Sequence, residues 1–132
     1  MQEMRHLNLF EKVTKVNTRF CFKYNGAVIF CVPERFVSKA IGEEGKNAKK
    51  IKNTIGRRIK IIAQPRGIQD AKKFVTSIIN PVTFNNLEIK DNKIILTAGN
   101  QNKSSLFGRN KRRLFEMQKI IRDFFGKEFK II

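Results

Sequence analysis

Phe36-Val-Ser-Lys-Ala-Ile-Gly-Glu-Glu-Gly-Lys-Asn47 sets a Gly-x-x-Gly turn between two helical segments, runs on through Lys49, Lys50 and Lys52, and closes with Ile55-Gly-Arg-Arg-Ile-Lys-Ile-Ile62. Asn102-Lys-Ser-Ser-Leu-Phe-Gly-Arg-Asn-Lys-Arg-Arg-Leu114, closing with Phe125-Gly-Lys-Glu-Phe-Lys-Ile-Ile132, follows the same plan. A small, basic, glycine-broken turn between helices, followed by a strand, can cradle a nucleic-acid backbone. Its recurrence divides the chain into two half-size modules.

Working outward, the order of elements repeats as well. Leu7 to Val16 carries apolar residues at 7, 9, 10, 13 and 16, the spacing of one helix face. Phe20 to Val32 is two β-rich runs around Asn25-Gly26, a strong short hairpin signal because a type I′ turn needs positive φ twice. Phe36 to Ile41 reads as a short helix stopped by Gly42, Lys46 or Asn47 to Ile55 as the next helix, and Arg58 to Ala63 as a third strand. Gln64-Pro-Arg-Gly67 looks like a linker. Beyond it come a helix over 69–80 broken by Pro81, a hairpin over 87–96 around Asp91-Asn92, a short helix over 103–107, a helix over 111–125 and a strand over 128–132. Leu87, Ile89, Ile94 and Leu96 are expected to share one face of the second hairpin.

The halves align at an offset of 66 residues, which sets Gly42 on Gly108, and at 70 near their ends, where Gly56 falls on Gly126. The four extra residues fall in the last helix of the second copy, about one helical turn, so its apolar face is kept. The expected fold class is α+β: two tandem α-β-β-α-α-β modules, over 1–65 and 66–132, each a three-stranded sheet packed by helices. Modules this small are near the lower limit for independent cores.

Charge narrows the partners. Lys and Arg number 28 against 11 acids, a net of +17, and both halves share the excess: 15 bases to 5 acids over 1–66, and 13 to 6 over 67–132. This is not a neutral domain with a basic tail, and a polyanionic partner is favoured. The longest apolar run, Ala27 to Val32, is too short to span a membrane. The N-terminal residues lack the apolar core of a signal peptide, so a cytoplasmic protein is expected. The hairpin register puts Phe20 opposite Cys31 and Cys21 opposite Phe30, so the two thiols point to opposite faces and cannot bridge.

The glycine turn has a direct physical rationale. Gly42 and Gly45 let a phosphate approach without a Cβ in the way. The helix that starts there offers free N–H groups and the positive end of its dipole. Lys46 and Lys49 add charge, Asn47 opens the helix, and Ile41 can wall a groove for bases. In the second copy Gly108 allows close approach, Arg109, Lys111, Arg112 and Arg113 supply charge beside Asn110, and Phe107 is placed to touch a base.

At these residues the chain resembles the KH domain, and in particular the tandem type II KH pair of archaeal NusA-like proteins. Val28-Ile-Phe-Cys-Val-Pro33 with Ala40-Ile-Gly-Glu-Glu-Gly-Lys-Asn47 is similar to the family's first KH motif, and Leu106-Phe-Gly-Arg-Asn-Lys111 to a degenerate second one. The resemblance covers essentially the whole chain. It implies single-stranded RNA binding and a role in transcription elongation or termination with RNA polymerase, by a protein expected to be a monomer. Two departures stand out. The first turn holds Glu43 and Glu44, so that 42–52 carry four lysines against two acids. The second has Lys111 where the motif expects glycine, yet 103–113 carry five bases and no acid. The first copy keeps glycines and loses charge; the second keeps charge and loses a glycine.

Other chemistries fare worse. Gly42-Glu-Glu-Gly-Lys-Asn47 has neither the spacing nor the hydroxyl of a phosphate-binding P-loop. His6 is the only histidine, the cysteines lack Cys-x-x-Cys spacing, and Glu43-Glu44 has no further acidic partners, so no metal and no cofactor is expected. No triad or carboxylate pair stands out, and the expectation is a non-enzyme. The phenylalanines follow core periodicity for the most part and are not read as a base-stacking platform. The alternatives to a polymerase-linked RNA binder are a ribosome-associated or ribosomal protein binding rRNA, since type II KH folds also occur there, and a polymerase-binding scaffold with incidental RNA affinity.

Overall fold

A computed structural model describes residues 2–132 of the chain, with side chains described from Met4 onward. The elements are α1 (Gln2–Thr14), β1 (Phe20–Tyr24), β2 (Ala27–Val32), α2 (Val37–Ile41), α3 (Lys46–Ile55), β3 (Ile59–Ala63), α4 (Ala71–Ile79), β4 (Asn86–Lys90), β5 (Lys93–Thr97), α5 (Lys103–Phe107), α6 (Arg112–Phe125) and β6 (Glu128–Ile131). They form two compact units, one ending at Gln64 and one running Pro65–Ile132. Each holds a three-stranded sheet, ordered β1-β2-β3 and β4-β5-β6, with its hairpin antiparallel and its last strand parallel to the middle one. The expected α+β class with two KH-like modules is therefore the observed one.

The first hairpin turns at Asn25 and Gly26, with φ of 52° and 74°, as a type I′ turn requires. Its register sets Phe20 opposite Cys31 and Cys21 opposite Phe30. The thiols thus lie on opposite faces, and burial, with Cys21 as a secondary cause, pushes the Cys31 thiol up to about 12. Val28, Phe30 and Val32 project from one face of β2 into a core with Phe10, Val16, Ala40, Ile51 and Ile61. The Phe10 and Phe30 rings stack there at 4.5 Å. α1 begins and ends earlier than its apolar spacing suggests. The buried Thr14 hydroxyl donates to Phe10 O at 2.8 Å and accepts from Val16 N at 3.0 Å, which turns the chain out of the helix before Val16 reaches the core.

In the second unit Ile94 and Leu96 of β5 are buried with Leu106, Met117, Ile120, Ile121, Phe129 and Ile131. Phe74 of α4 meets Phe124 and Phe125 at 4.8 and 5.9 Å between ring centroids. Leu87 pairs with Leu96 and Ile89 with Ile94, as the shared-face reading requires, but Ile89 is 44 % exposed on the outer strand. The helix expected from 69 starts as a single 3₁₀ turn, Ile68–Asp70, before α4 proper, and Ile68 stays 36 % exposed. Asp70 accepts from Arg66 N at 2.9 Å and from Arg66 Nε at 3.3 Å. Those contacts, the backbone one foremost, hold its carboxyl below the usual range.

The long helices confirm the alignment: α3 has 10 residues and α6 has 14, the one-turn difference expected from the shift in offset. The loop entering the last strand is also built alike in both units. Arg58 Nη2 donates to Asn25 O across the first hairpin tip, and Lys127 Nζ donates to Asp91 O at 2.9 Å across the second. Among the described residues no helix is long and apolar enough to cross a membrane, and no group of three or more His, Cys, Asp or Glu could hold a metal ion.

Candidate nucleic-acid interface

The two turns have one backbone. Gly42 has φ 84° and ψ 166°, and Gly108 has φ 74° and ψ 171°. Only glycine occupies this region without severe strain. Two positions on, Glu44 (57°, 27°) and Asn110 (56°, 30°) are left-handed, and so are the next residues, Gly45 (74°, 18°) and Lys111 (60°, 24°). The closing hydrogen bonds match too. Gly42 N donates to Ser38 O and Gly108 N to Ser104 O, both at 3.0 Å; Gly45 N donates to Gly42 O and Lys111 N to Gly108 O, both at 3.1 Å.

Neither first glycine has room for a side chain. A Cβ on Gly42 would lie 2.9 Å from Asn47 N and Cγ; one on Gly108 would lie 2.9 Å from Arg113 N and 2.5 Å from its Cγ. The second glycine differs in kind. A Cβ on Gly45 would meet only the far end of Lys49, at 3.9 Å. Here glycine serves the left-handed dihedrals rather than space. This is why Lys111 can replace it without changing the turn. The missing glycine of the second copy costs strain, not shape.

The two turns divide that strain in opposite ways. The first pairs an unfavourable Glu44 with a tolerant Gly45; the second pairs a tolerant Asn110 with an unfavourable Lys111. Lys111→Gly is expected to raise the stability of the second unit by about 0.5–1 kcal/mol, left-handed strain relieved less the added entropy of the unfolded chain. Glu44→Asn should do the same for the first unit on a smaller scale. Chemical denaturation of each variant beside the parent checks both; a loss of stability in Lys111→Gly would contradict the strain reading.

Around these backbones the side chains diverge. In the first turn Glu43, Glu44, Lys46 and Lys49 are exposed, while Asn47 is half-buried, its Nδ2 donating to Lys39 O at 3.3 Å. Ile41 is half-buried against the core cluster. In the second turn Arg109, Asn110, Lys111 and Arg112 are all exposed, and Phe107 is half-buried. Arg113 is half-buried, lies over Gly108 and pairs with Glu116 at 3.2 Å. It stands in the place of Asn47, and its position is that of a group that braces the turn. Exposed cations around a turn whose backbone can be approached closely are suited to holding phosphates.

The second turn also opens onto a concavity of about 830 Å³, lined by Arg109, Asn110, Arg112, Arg113, Phe115, Glu116 and Lys119. Phe115 and Lys119 were not among the residues expected at the site. Their signal is in the sequence all the same: both fall out of phase with Met117, Ile120 and Ile121, the buried stripe of α6. Phe115 is 56 % exposed and so departs from the expected core periodicity of the phenylalanines.

No family model matches the chain. Three curated proteins do, each named probable transcription termination protein NusA. The matches are 27 % identical in Methanococcus vannielii, 29 % in Methanocaldococcus jannaschii and 27 % in Halococcus morrhuae, each over 89 residues or 67 % of this chain. The aligned stretch covers 50 %, 47 % and 62 % of those proteins, so the match spans about half the length of the first two relatives. Among solved structures, the crystal structure of APE1850 superposes with a TM-score of 0.67 at 20 % identity, covering 99 % of this chain and 97 % of that one, a likeness of fold. The chain is thus similar in sequence to archaeal NusA-like proteins, as its two glycine turns implied, and it carries two KH-like modules.

Proposed function

We propose that this protein is a non-enzymatic single-stranded RNA-binding factor that acts with RNA polymerase in transcription elongation or termination. The observation that carries the RNA part is the second turn: Arg109, Lys111 and Arg112 stand exposed on a backbone that matches the glycine turn of the first unit angle for angle. Gly42 and Gly108 keep the two turns in shape, and Gly45, where a Cβ would meet only the far end of Lys49, leaves the first turn open to the strand. Lys46 and Lys49 in the first unit, and Arg109, Lys111 and Arg112 in the second, hold phosphates. Ile41 and Phe107 edge the space where bases lie. The transcription part is supported by the relatives, each named a probable transcription termination protein, and the polymerase part follows from the resemblance to NusA-like proteins.

In this reading Glu43 and Glu44 throttle the first site, because both are exposed beside the phosphate path. Changing both to lysine converts two repulsive charges into attractive ones. At about 0.1 M salt each new phosphate contact adds roughly 0.7 logarithmic units of affinity for a single strand. Glu43→Lys with Glu44→Lys is therefore expected to tighten binding by about 5- to 25-fold. Titration on one RNA decides it, and unchanged affinity would mean that the first turn does not face the strand. The wider role is tested by photo-crosslinking the intact protein in a transcribing complex. Crosslinks from both turns to nascent RNA are expected, with recovery of polymerase. Recovery of ribosomal subunits and rRNA instead would favour the ribosomal reading.

A further inference from the structure

We infer that Phe115 is a base-stacking platform, on which one nucleobase of a bound single strand lies while Arg109, Arg112 and Lys119 hold the phosphates on either side. The inference rests on the RNA-binding reading above and extends it beyond the glycine turns to the outer face of α6.

Three observations converge on it. Phe115 is the most exposed phenylalanine among the described residues, at 56 %, and its ring lines the concavity of about 830 Å³ beside the second turn. Fold does not require it there. α6 buries Met117, Ile120 and Ile121 on its inner face, and the matching position on α3, 66 residues earlier, is the exposed Lys49. The same place on the same turn thus carries a solvated cation in one unit and a bare aromatic ring in the other. Finally, the ring sits among cations. Arg112 lies three residues before it and Lys119 four after, the helical spacings that bring side chains together on one face. The acid beside them, Glu116, is engaged with Arg113 at 3.2 Å. An apolar protein partner would suit an apolar rim; a ring bounded by exposed cations suits a ligand that alternates flat faces with negative charge, which is single-stranded nucleic acid.

The test uses the full chain and a short single-stranded RNA carrying the fluorescent base 2-aminopurine, titrated across a range of salt. Stacking on an exposed ring is worth a several-fold gain in affinity, so Phe115→Ala should weaken binding roughly 5- to 20-fold. Phe115→Leu should weaken it nearly as much, because it keeps the bulk and loses the π face. Phe115→Trp should restore it. The salt slope should be the same in all three, since no charge changes, whereas Lys119→Gln should flatten it by about 0.7. Quenching of the 2-aminopurine should be strong in the parent and in Phe115→Trp and weak in the other two. Equal affinity and quenching in Phe115→Ala and the parent, with salt-dependent binding intact, overturns stacking and leaves RNA binding standing; the ring is then a protein contact. Loss in Phe115→Ala that Leu restores also overturns it, since apolar bulk would suffice. Absence of any salt-dependent RNA binding by the parent overturns both readings.

Discussion

Gly108→Ala is expected to destabilise the second unit by about 2–4 kcal/mol. Two costs add. The residue sits at φ 74° and ψ 171°, a conformation essentially reserved to glycine, which costs an L-residue on the order of 1–3 kcal/mol. The new methyl also meets the Arg113 backbone nitrogen at 2.9 Å, and that nitrogen belongs to the first turn of α6 and cannot step aside alone. Overpacking of that kind adds roughly 1–3 kcal/mol, reduced here because the Arg113 side chain can swing away. Gly126→Ala is the built-in comparison. Gly126 is left-handed at φ 65°, but nothing lies within 4 Å of the would-be Cβ, so only the conformational cost of about 1 kcal/mol remains. Thermal unfolding should put the Gly108 variant well below the Gly126 variant, by roughly 5–15 °C in a unit of this size. Equal midpoints would mean that the turn relaxes freely and that its backbone is not fixed by the contact with Arg113.

The second large effect is expected in RNA binding. Reversing Arg109, Lys111 and Arg112 to glutamate leaves Arg113 and its pairing with Glu116 in place, so the brace of the turn survives. All three changed residues are exposed, and unfolding midpoints should move little. If each holds a phosphate, losing three contacts removes about two logarithmic units of affinity near 0.1 M salt and flattens the salt slope by about 2. Repulsion by the new carboxylates adds to the loss, for an expected weakening of at least about 100-fold. The matching change in the first unit, Lys46 and Lys49 to glutamate, should cost less, because Glu43 and Glu44 already offset those lysines. A larger loss from the first turn than from the second would reverse the proposed division of labour.

Much of this architecture was legible in the chain, for identifiable reasons. Asn25-Gly26 fixes a hairpin and its register, and register sets the two thiols on opposite faces of the sheet. The shift in offset from 66 to 70 foretold the extra turn of α6, because four residues preserve a helix face. What escaped was conformational rather than compositional. A motif reading counts Lys111 as a lost glycine, but it cannot separate a glycine needed for space, such as Gly108, from one needed for dihedrals, such as Gly45. Only the atoms around the two positions tell them apart. Phe115 escaped for a different reason. Phe20 and Phe115 are the exposed phenylalanines among the described residues, and the departure of Phe115 is visible only when α6 is phased on Met117, Ile120 and Ile121. The early end of α1 turns on one buried hydroxyl, Thr14, whose role as a stop depends on burial that a sequence does not display.

The central claim is that two glycine turns hold the phosphates of one class of ligand, single-stranded RNA, and its most direct test is the salt dependence of binding by the intact protein. With roughly three to five phosphates neutralised, the logarithm of the binding constant should fall against the logarithm of salt with a slope of about −2 to −3.5. A slope near zero, or no measurable binding at low salt, would contradict it.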